Sequence, residues 1–249
     1  MAGAIGCGSS LSDALSGRSL FLAECDGNAD RVAADLVVLD WQGGVTAIYP
    51  DEDFEALDLS AFETPDGGTL ADDAEQFKEL VRLQATRIFC DSSGPGICIR
   101  HADDVKGRAG TTVYYTQALS PVGWLQIGEG EYDVCNRQHD NAAVIFGERV
   151  LRLGAAYTFD EWVLVFANLT AHEIAHTLGY AHVSRDESPE AERSYFVELM
   201  YDGHTMEEMR REQRFLVDQT NCPADSPANL RRVEYPTITC GVVDHPAND

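Results

Sequence analysis

His172-Glu173-Ile174-Ala175-His176-Thr177-Leu178-Gly179-Tyr180-Ala181-His182 reads H-E-x-x-H-x-x-G-x-x-H, and each fixed position in it has a chemical task. On a helix, residues four apart share a face with their Cβ atoms roughly 6 Å apart, so His172 and His176 can grip one metal ion together. Glu173 follows the first of them and points into the same cleft, where a carboxylate can take a proton from metal-bound water. His182 cannot join them on a continuous helix, because six residues at about 100° each leave it roughly 240° around the axis. The chain must leave the helix first, and Gly179 stands where a left-handed C-cap would turn it. Three imidazoles then converge and leave a fourth position open, as a catalytic zinc requires.

The shorter H-E-x-x-H pattern arises by chance in about one chain in a hundred of this size, as an amphipathic helix with two solvated histidines. The glycine and third histidine at fixed offsets cut that chance about a thousandfold. In this extended form the motif resembles that of the metzincin clan of zinc endopeptidases. A further hallmark of that clan is a methionine in a turn beneath the metal, downstream of the third histidine. Leu199-Met200-Tyr201 fits it and looks most like the Leu-Met-Tyr-Pro of matrixins, although Asp202 replaces the proline and seventeen residues separate His182 from Met200. Val183 stands where matrixins carry serine, astacins glutamate and adamalysins aspartate. Tyr201 directly follows the methionine, one position short of the tyrosine that touches zinc in astacins and serralysins, and reads as structural.

The resemblance implies an α+β fold with a mixed, twisted sheet, two long helices above the cleft and a mainly helical C-terminal subdomain. Residues 1–20 are small and polar and read as a linker or anchor, and the resemblance implies a catalytic domain over 21–249 whose upper part ends near His182. It implies one catalytic zinc on His172, His176 and His182, with Glu173 as general base toward zinc-bound water and Met200 as a structural floor. The substrate would be a protein or peptide whose extended backbone pairs with an edge strand, for which Trp124, Leu125, Gln126 and Ile127 are the candidates. The competing reading is a surface-anchored zinc protein that binds a partner without cleaving it. An intact Glu173 speaks against that, since a retired protease has no need of its base.

Patterning fills in the rest. Residues 45–49 form an apolar run ending at Pro50 and read as a strand, and residues 51–69 as an acidic surface loop. Phe77, Leu80, Val81, Leu83 and Ile88 recur at helical spacing, which predicts a helix over 72–89. Residues 97–101, 111–117 and 124–127 are strand candidates, and 142–146, apolar throughout, predicts a central strand. Asp160 is the expected N-cap of the site helix, whose stripe of Ala167, Ala171, Ile174 and Leu178 should face the core while His172, Glu173 and His176 face a cleft. Ser188-Pro189 suggests a short inserted helix over 189–197. Thr205-Met206-Glu207-Glu208 is a capping box opening a helix to about Thr220.

The formal charge is −24 over 249 residues, and of 18 basic residues only Lys78 and Lys106 are lysines. So acidic a chain repels nucleic acid and anionic membranes. Acidic faces such as residues 51–55 leave two readings, calcium ligands or solvated surface, and none has the oxygen spacing of an EF-hand. There is no run of eighteen apolar residues, hence no expected transmembrane segment, and a single self-contained domain of this size predicts a monomer.

Seven cysteines without C-x-x-C spacing point to disulfides and an oxidising, extracellular or cell-surface location. Cys90 with Cys98, Cys222 with Cys240, and Cys25 with Cys135 are the economical pairs among fifteen arrangements of six. That leaves Cys7. Ala4-Ile5-Gly6-Cys7 resembles the end of a lipoprotein signal, whose cysteine is lipidated, but the charged and apolar regions of such a signal are missing. Either the chain starts within a longer precursor or the likeness is accidental.

Overall fold

The computed structural model describes residues 21–23, 35–91, 97–105, 110–123, 126–133, 138, 140–154, 157–183, 197–200, 204–211, 213–214 and 240–242. Its centre is a five-stranded sheet built from β2 (Asp35–Asp40), β5 (Ile97–His101), β6 (Thr111–Thr116), β7 (Gly128–Gly130) and β8 (Ala142–Phe146). The spatial order is β5-β2-β6-β8-β7, with the first four strands parallel and β7 antiparallel to β8 at the edge. Two long helices, α1 (Ala74–Asp91) and α3 (Phe159–Thr177), join it to give a mixed α+β fold. The short helix α2 (Gly147–Leu153) leads from β8 toward α3.

Strand alternation sorts the side chains into two cores. Val37 and Leu39 of β2, Val113 and Tyr115 of β6, and Ala143 and Ile145 of β8 face the helices and pack with Phe77, Leu80 and Val81 of α1 and Trp162, Phe166 and Ile174 of α3. Phe166 is fully enclosed and meets Phe77 edge-on at 5.5 Å and Phe62 at 5.3 Å, so truncating it to alanine would cost about 3–5 kcal/mol. Val144 and Phe146 point the other way, into a smaller cluster with Tyr49 and Phe54. Tyr115 reaches up through the first core to Thr170 of α3, its hydroxyl 2.6 Å from Oγ1. Thr170 in turn donates to the Phe166 carbonyl at 2.7 Å, so Tyr115 is the donor in this pair. Six residues before His176, α3 is thus pinned to the sheet.

Strands β5 and β6, the interior strand β8 and helix α1 lie within a residue or two of their expected places. Other expectations are corrected. Of residues 45–49 only Val45 is strand, in Gly44–Val45 (β3) paired with Asp53–Phe54 (β4), while Ile48 and Tyr49 turn inward to cover the second core. The segment 51–69 is no free loop, since Phe54, Leu57, Leu59 and Phe62 are buried anchors on either side of a 3-10 turn at Leu59–Ala61. Asp160 is not the N-cap. Thr158 is, accepting from the Glu161 N–H while Glu161 reaches back to Thr158 N–H at 2.9 Å.

In the lower part the described residues are less helical than expected. The capping box at Thr205 is present, but its helix α4 spans only Met206–Met209, and Gln213–Arg214 (β10) runs parallel to Val197–Glu198 (β9). Val197 is therefore strand; residues 189–196 lie outside the described residues. Phe21–Ala23 (β1) pairs antiparallel with Cys240–Val242 (β11). Cys98 is disulfide-bonded, while the side chains of the other six cysteines lie outside the described residues. Among the described residues no helix is long and apolar enough to cross a membrane.

Candidate metal centre

Helix α3 carries His172 and His176 one turn apart, and it stops where the third histidine needs it to. Gly179 takes φ 91°, a left-handed value that suits glycine. Its N–H donates to the His176 carbonyl at 2.9 Å and Tyr180 N–H to the Ala175 carbonyl at 3.0 Å. These are the paired closing bonds of a Schellman motif, and they swing the chain back so that His182 faces the helix it has left. The three Nε2 atoms then stand 3.1 Å (His172–His182), 3.1 Å (His176–His182) and 3.2 Å (His172–His176) apart. Among the described residues this triad is the cluster of His, Cys, Asp or Glu that could hold a metal ion; the acidic segment 51–55 gathers none.

Backbone carbonyls fix the ring orientations. His172 Nδ1 lies 2.7 Å from the Leu199 carbonyl oxygen and His176 Nδ1 2.9 Å from that of Tyr180. A carbonyl can only accept, so both Nδ1 atoms carry the proton and both Nε2 atoms turn lone pairs toward the shared centre. Burial, then the neighbouring His176, holds His172 well below the usual histidine range. Burial likewise brings His176 down to about 4, despite its bond to the Tyr180 carbonyl. Neutral imidazoles converging without protons between them suit a cation.

Glu173 was expected to point into the cleft it shares with His172, and both are buried there, Glu173 5% exposed and His172 8%. The covering elements are β7 and the Leu199–Met200 turn. A Cβ on Gly130 would stand 2.6 Å from the Glu173 carbonyl oxygen and 3.2 Å from the His176 Cβ, so the edge strand presses against the site helix through a side-chain-free face. Burial chiefly, and the charge of Glu129 next, push the Glu173 carboxyl up to about 8, against a Gly130 N–H that stabilises the ionised form. Glu129 points to the opposite face of β7, where it accepts from the Tyr49 hydroxyl and from Gln126 Nε2 at 3.2 Å.

Met200 lies buried, and its carbonyl accepts from Val183 N–H at 2.7 Å, directly after His182. The edge strand β7 is Gly128–Gly130; of the candidate residues 126 and 127, Gln126 bonds Ser120 and Glu129, and Ile127 packs on the main core. Trp124, Leu125, Tyr201, Asp202 and Cys7 lie outside the described residues. Sequence reasoning passed over Gly128, Glu129 and Gly130, whose signal is two glycines at strand spacing, a mark of close approach by another element. It also passed over His204 and over Tyr132, whose half-exposed ring meets His176 edge-on at 6.4 Å. No protein-family model matches the chain, and no curated protein matches it.

Proposed function

We propose that the chain is a zinc-dependent endopeptidase of the metzincin kind. The observation that carries this is the convergence of three Nε2 atoms to within 3.2 Å of one another beside a buried carboxylate. Four-coordinate zinc at about 2.0–2.1 Å from each nitrogen sets tetrahedral ligands roughly 3.3–3.4 Å apart, so the spacing fits that ion, and the donor set of three neutral imidazoles suits it too. When bound there, zinc supplies a Lewis acid that acidifies water and polarises a carbonyl.

The chain's own residues do the rest. His172 and His176 hold their rings in register through the Leu199 and Tyr180 carbonyls. Glu173, its proton affinity raised by burial, takes a proton from the attacking water and passes it to the departing amine. A cation beside it would draw its pKa down toward neutrality, the range in which a general base works best. Strand β7 is paired only to β8 among the described residues, and its outer edge, apart from the Gly130 N–H that Glu173 takes, offers backbone groups to an extended peptide. The glycine face of β7 lies toward Glu173, which would bring that peptide alongside the metal.

The testing experiment is digestion of casein or gelatin by zinc-loaded protein, with and without a chelator. Chelator-sensitive cleavage supports the reading. Zinc binding without cleavage would leave the partner-binding alternative. We also propose an extracellular or cell-surface location, for which the cysteine content and Cys98 in a disulfide are the support. A thiol count on denatured, unreduced protein should find one free thiol, or none if Cys7 carries a lipid; five or more would overturn it.

A further inference from the structure

Leu199 offers one carbonyl oxygen to two imidazoles. His172 Nδ1 approaches it at 2.7 Å and His204 Nε2 at 2.8 Å, with the two rings edge-on and 5.9 Å apart. A carbonyl has two lone pairs and both are used here. Since the carbonyl only accepts, His204 must donate from Nε2.

His204 is itself held from behind. It immediately precedes Thr205, whose hydroxyl accepts from Glu208 N–H at 3.3 Å while Glu208 bonds back to Thr205 N–H at 2.8 Å. The far end of α4 is tied to the site helix by Asn168, fully buried, whose amide donates to the Met209 and Arg211 carbonyls at 2.8 Å each. Asn168 lies one helical turn before His172. A closed path therefore runs from the site helix through Asn168 to α4, through His204 to the Leu199 carbonyl, and back to His172. The same turn, through the Met200 carbonyl and Val183 N–H, also fixes the chain beside His182.

We infer that His204 is a positioning residue of the metal centre: by donating to the Leu199 carbonyl it aims that oxygen at His172 Nδ1 and so sets the direction of the His172 Nε2 lone pair. This rests on the metal-site reading above. Outer partners of histidine ligands typically carry about 10- to 100-fold in metal affinity, and His204 is one step further out, acting through a shared oxygen.

Two variants of the full chain separate donor geometry from bulk. His204→Gln places an amide N–H close to the Nε2 position, whereas His204→Asn places it near Nδ1, too short to reach Leu199. Zinc affinity is read by competition with a coloured chelator, and ligand geometry by the visible absorption of the cobalt(II)-substituted protein. The expected result is affinity within about threefold of wild type for His204→Gln and a loss of about 10-fold or more for His204→Asn, with a shifted cobalt spectrum only in the latter. Equal affinities and unchanged spectra in both, or equal losses in both, would overturn the inference. Should His204→Asn not fold, His204→Phe replaces it under the same criteria. If wild-type protein takes up neither zinc nor cobalt, the metal-site reading itself fails, an outcome distinct from any difference between variants.

Discussion

Gly128 of the edge strand faces the carboxylate of Glu173 at a distance that leaves no room for a side chain. A Cβ placed there would stand 2.8 Å from the carboxyl carbon and 2.9 Å from Cγ of Glu173. Gly128→Ala should therefore turn the Glu173 carboxylate aside while leaving the three histidines where they are. Misplacing a catalytic group by about 1 Å costs on the order of 10²-fold in rate. Zinc content should stay near wild type and peptide cleavage fall by about that factor. Wild-type cleavage by Gly128→Ala would mean that the carboxylate's position does not matter to the reaction.

The second prediction concerns the metal. Purified protein should hold about one zinc per chain, and His176→Ala should lose it, because two imidazoles cannot complete a tetrahedral site. Elemental analysis is the check. Equal zinc in wild type and variant would place the metal elsewhere.

How much of this could be read from the sequence depended on whether side-chain pattern or packing fixed the element. The triad and Gly179 were legible because spacing on a helix and a forced left-handed turn are local geometry. Helix α1 and strands β5, β6 and β8 were legible because their apolar period is strong. Strand β2, the interior neighbour of β5 and β6, went unread: Leu36-Val37-Val38-Leu39 is short, and it is bounded by aspartates rather than by glycine or proline. The edge strand Gly128–Gly130 went unread for the opposite reason. Trp124 to Ile127 has the apolar character expected of a strand, whereas Gly128-Glu129-Gly130 has little β-propensity and is strand because only bare backbone fits against Glu173 and His176. The true N-cap was visible as Thr158-x-x-Glu161, a reciprocal box that outcompetes a lone Asp160.

The third prediction is a pH dependence away from the site. Burial alone would raise the Glu79 carboxyl, but hydrogen bonds from Arg82 and His101 outweigh it and bring it down to about 2. A folded-state pKa below the unfolded value means the unfolded chain binds the extra proton between the two. The stabilisation is then complete above pH 4.5 and fades as pH falls toward 2. Glu79 is 44% exposed in its side chain, so the contribution is within about 1 kcal/mol, a few degrees of melting temperature. Wild type should melt above Glu79→Gln at pH 7, with the gap closing between pH 4.5 and the acid limit. A gap that widens with acid would reverse the assigned sign.

The fourth follows from charge. Among the described residues Lys78–Glu75 and Arg152–Glu148 are ion pairs within one helix, while Arg210–Glu161 joins residues distant in sequence. Pairing cannot change the net charge: 42 acidic against 18 basic residues leave −24 however the pairs form. Self-repulsion should weaken the fold at low ionic strength, and salt should screen it. The melting temperature should rise from low salt to molar sodium or potassium chloride. A flat or falling response would mean that the acids are offset locally.

The last prediction assigns the chemistry to Glu173. Under the proposed mechanism three histidines would suffice to hold the metal and leave the carboxylate to act as a base, and its burial against β7 raises its proton affinity. Glu173→Gln keeps the shape and an oxygen to accept the Gly130 N–H while removing the base. Zinc content and melting temperature should therefore stay near wild type. Peptide cleavage should fall by at least about 10²- to 10⁴-fold, the usual contribution of general acid–base catalysis. His172→Ala would be less informative, since it also releases the metal. The decisive comparison is cleavage per bound zinc in the two proteins: if Glu173→Gln retains most of the wild-type rate, then the carboxylate is a structural wedge under β7 and the proposed mechanism is wrong for this chain.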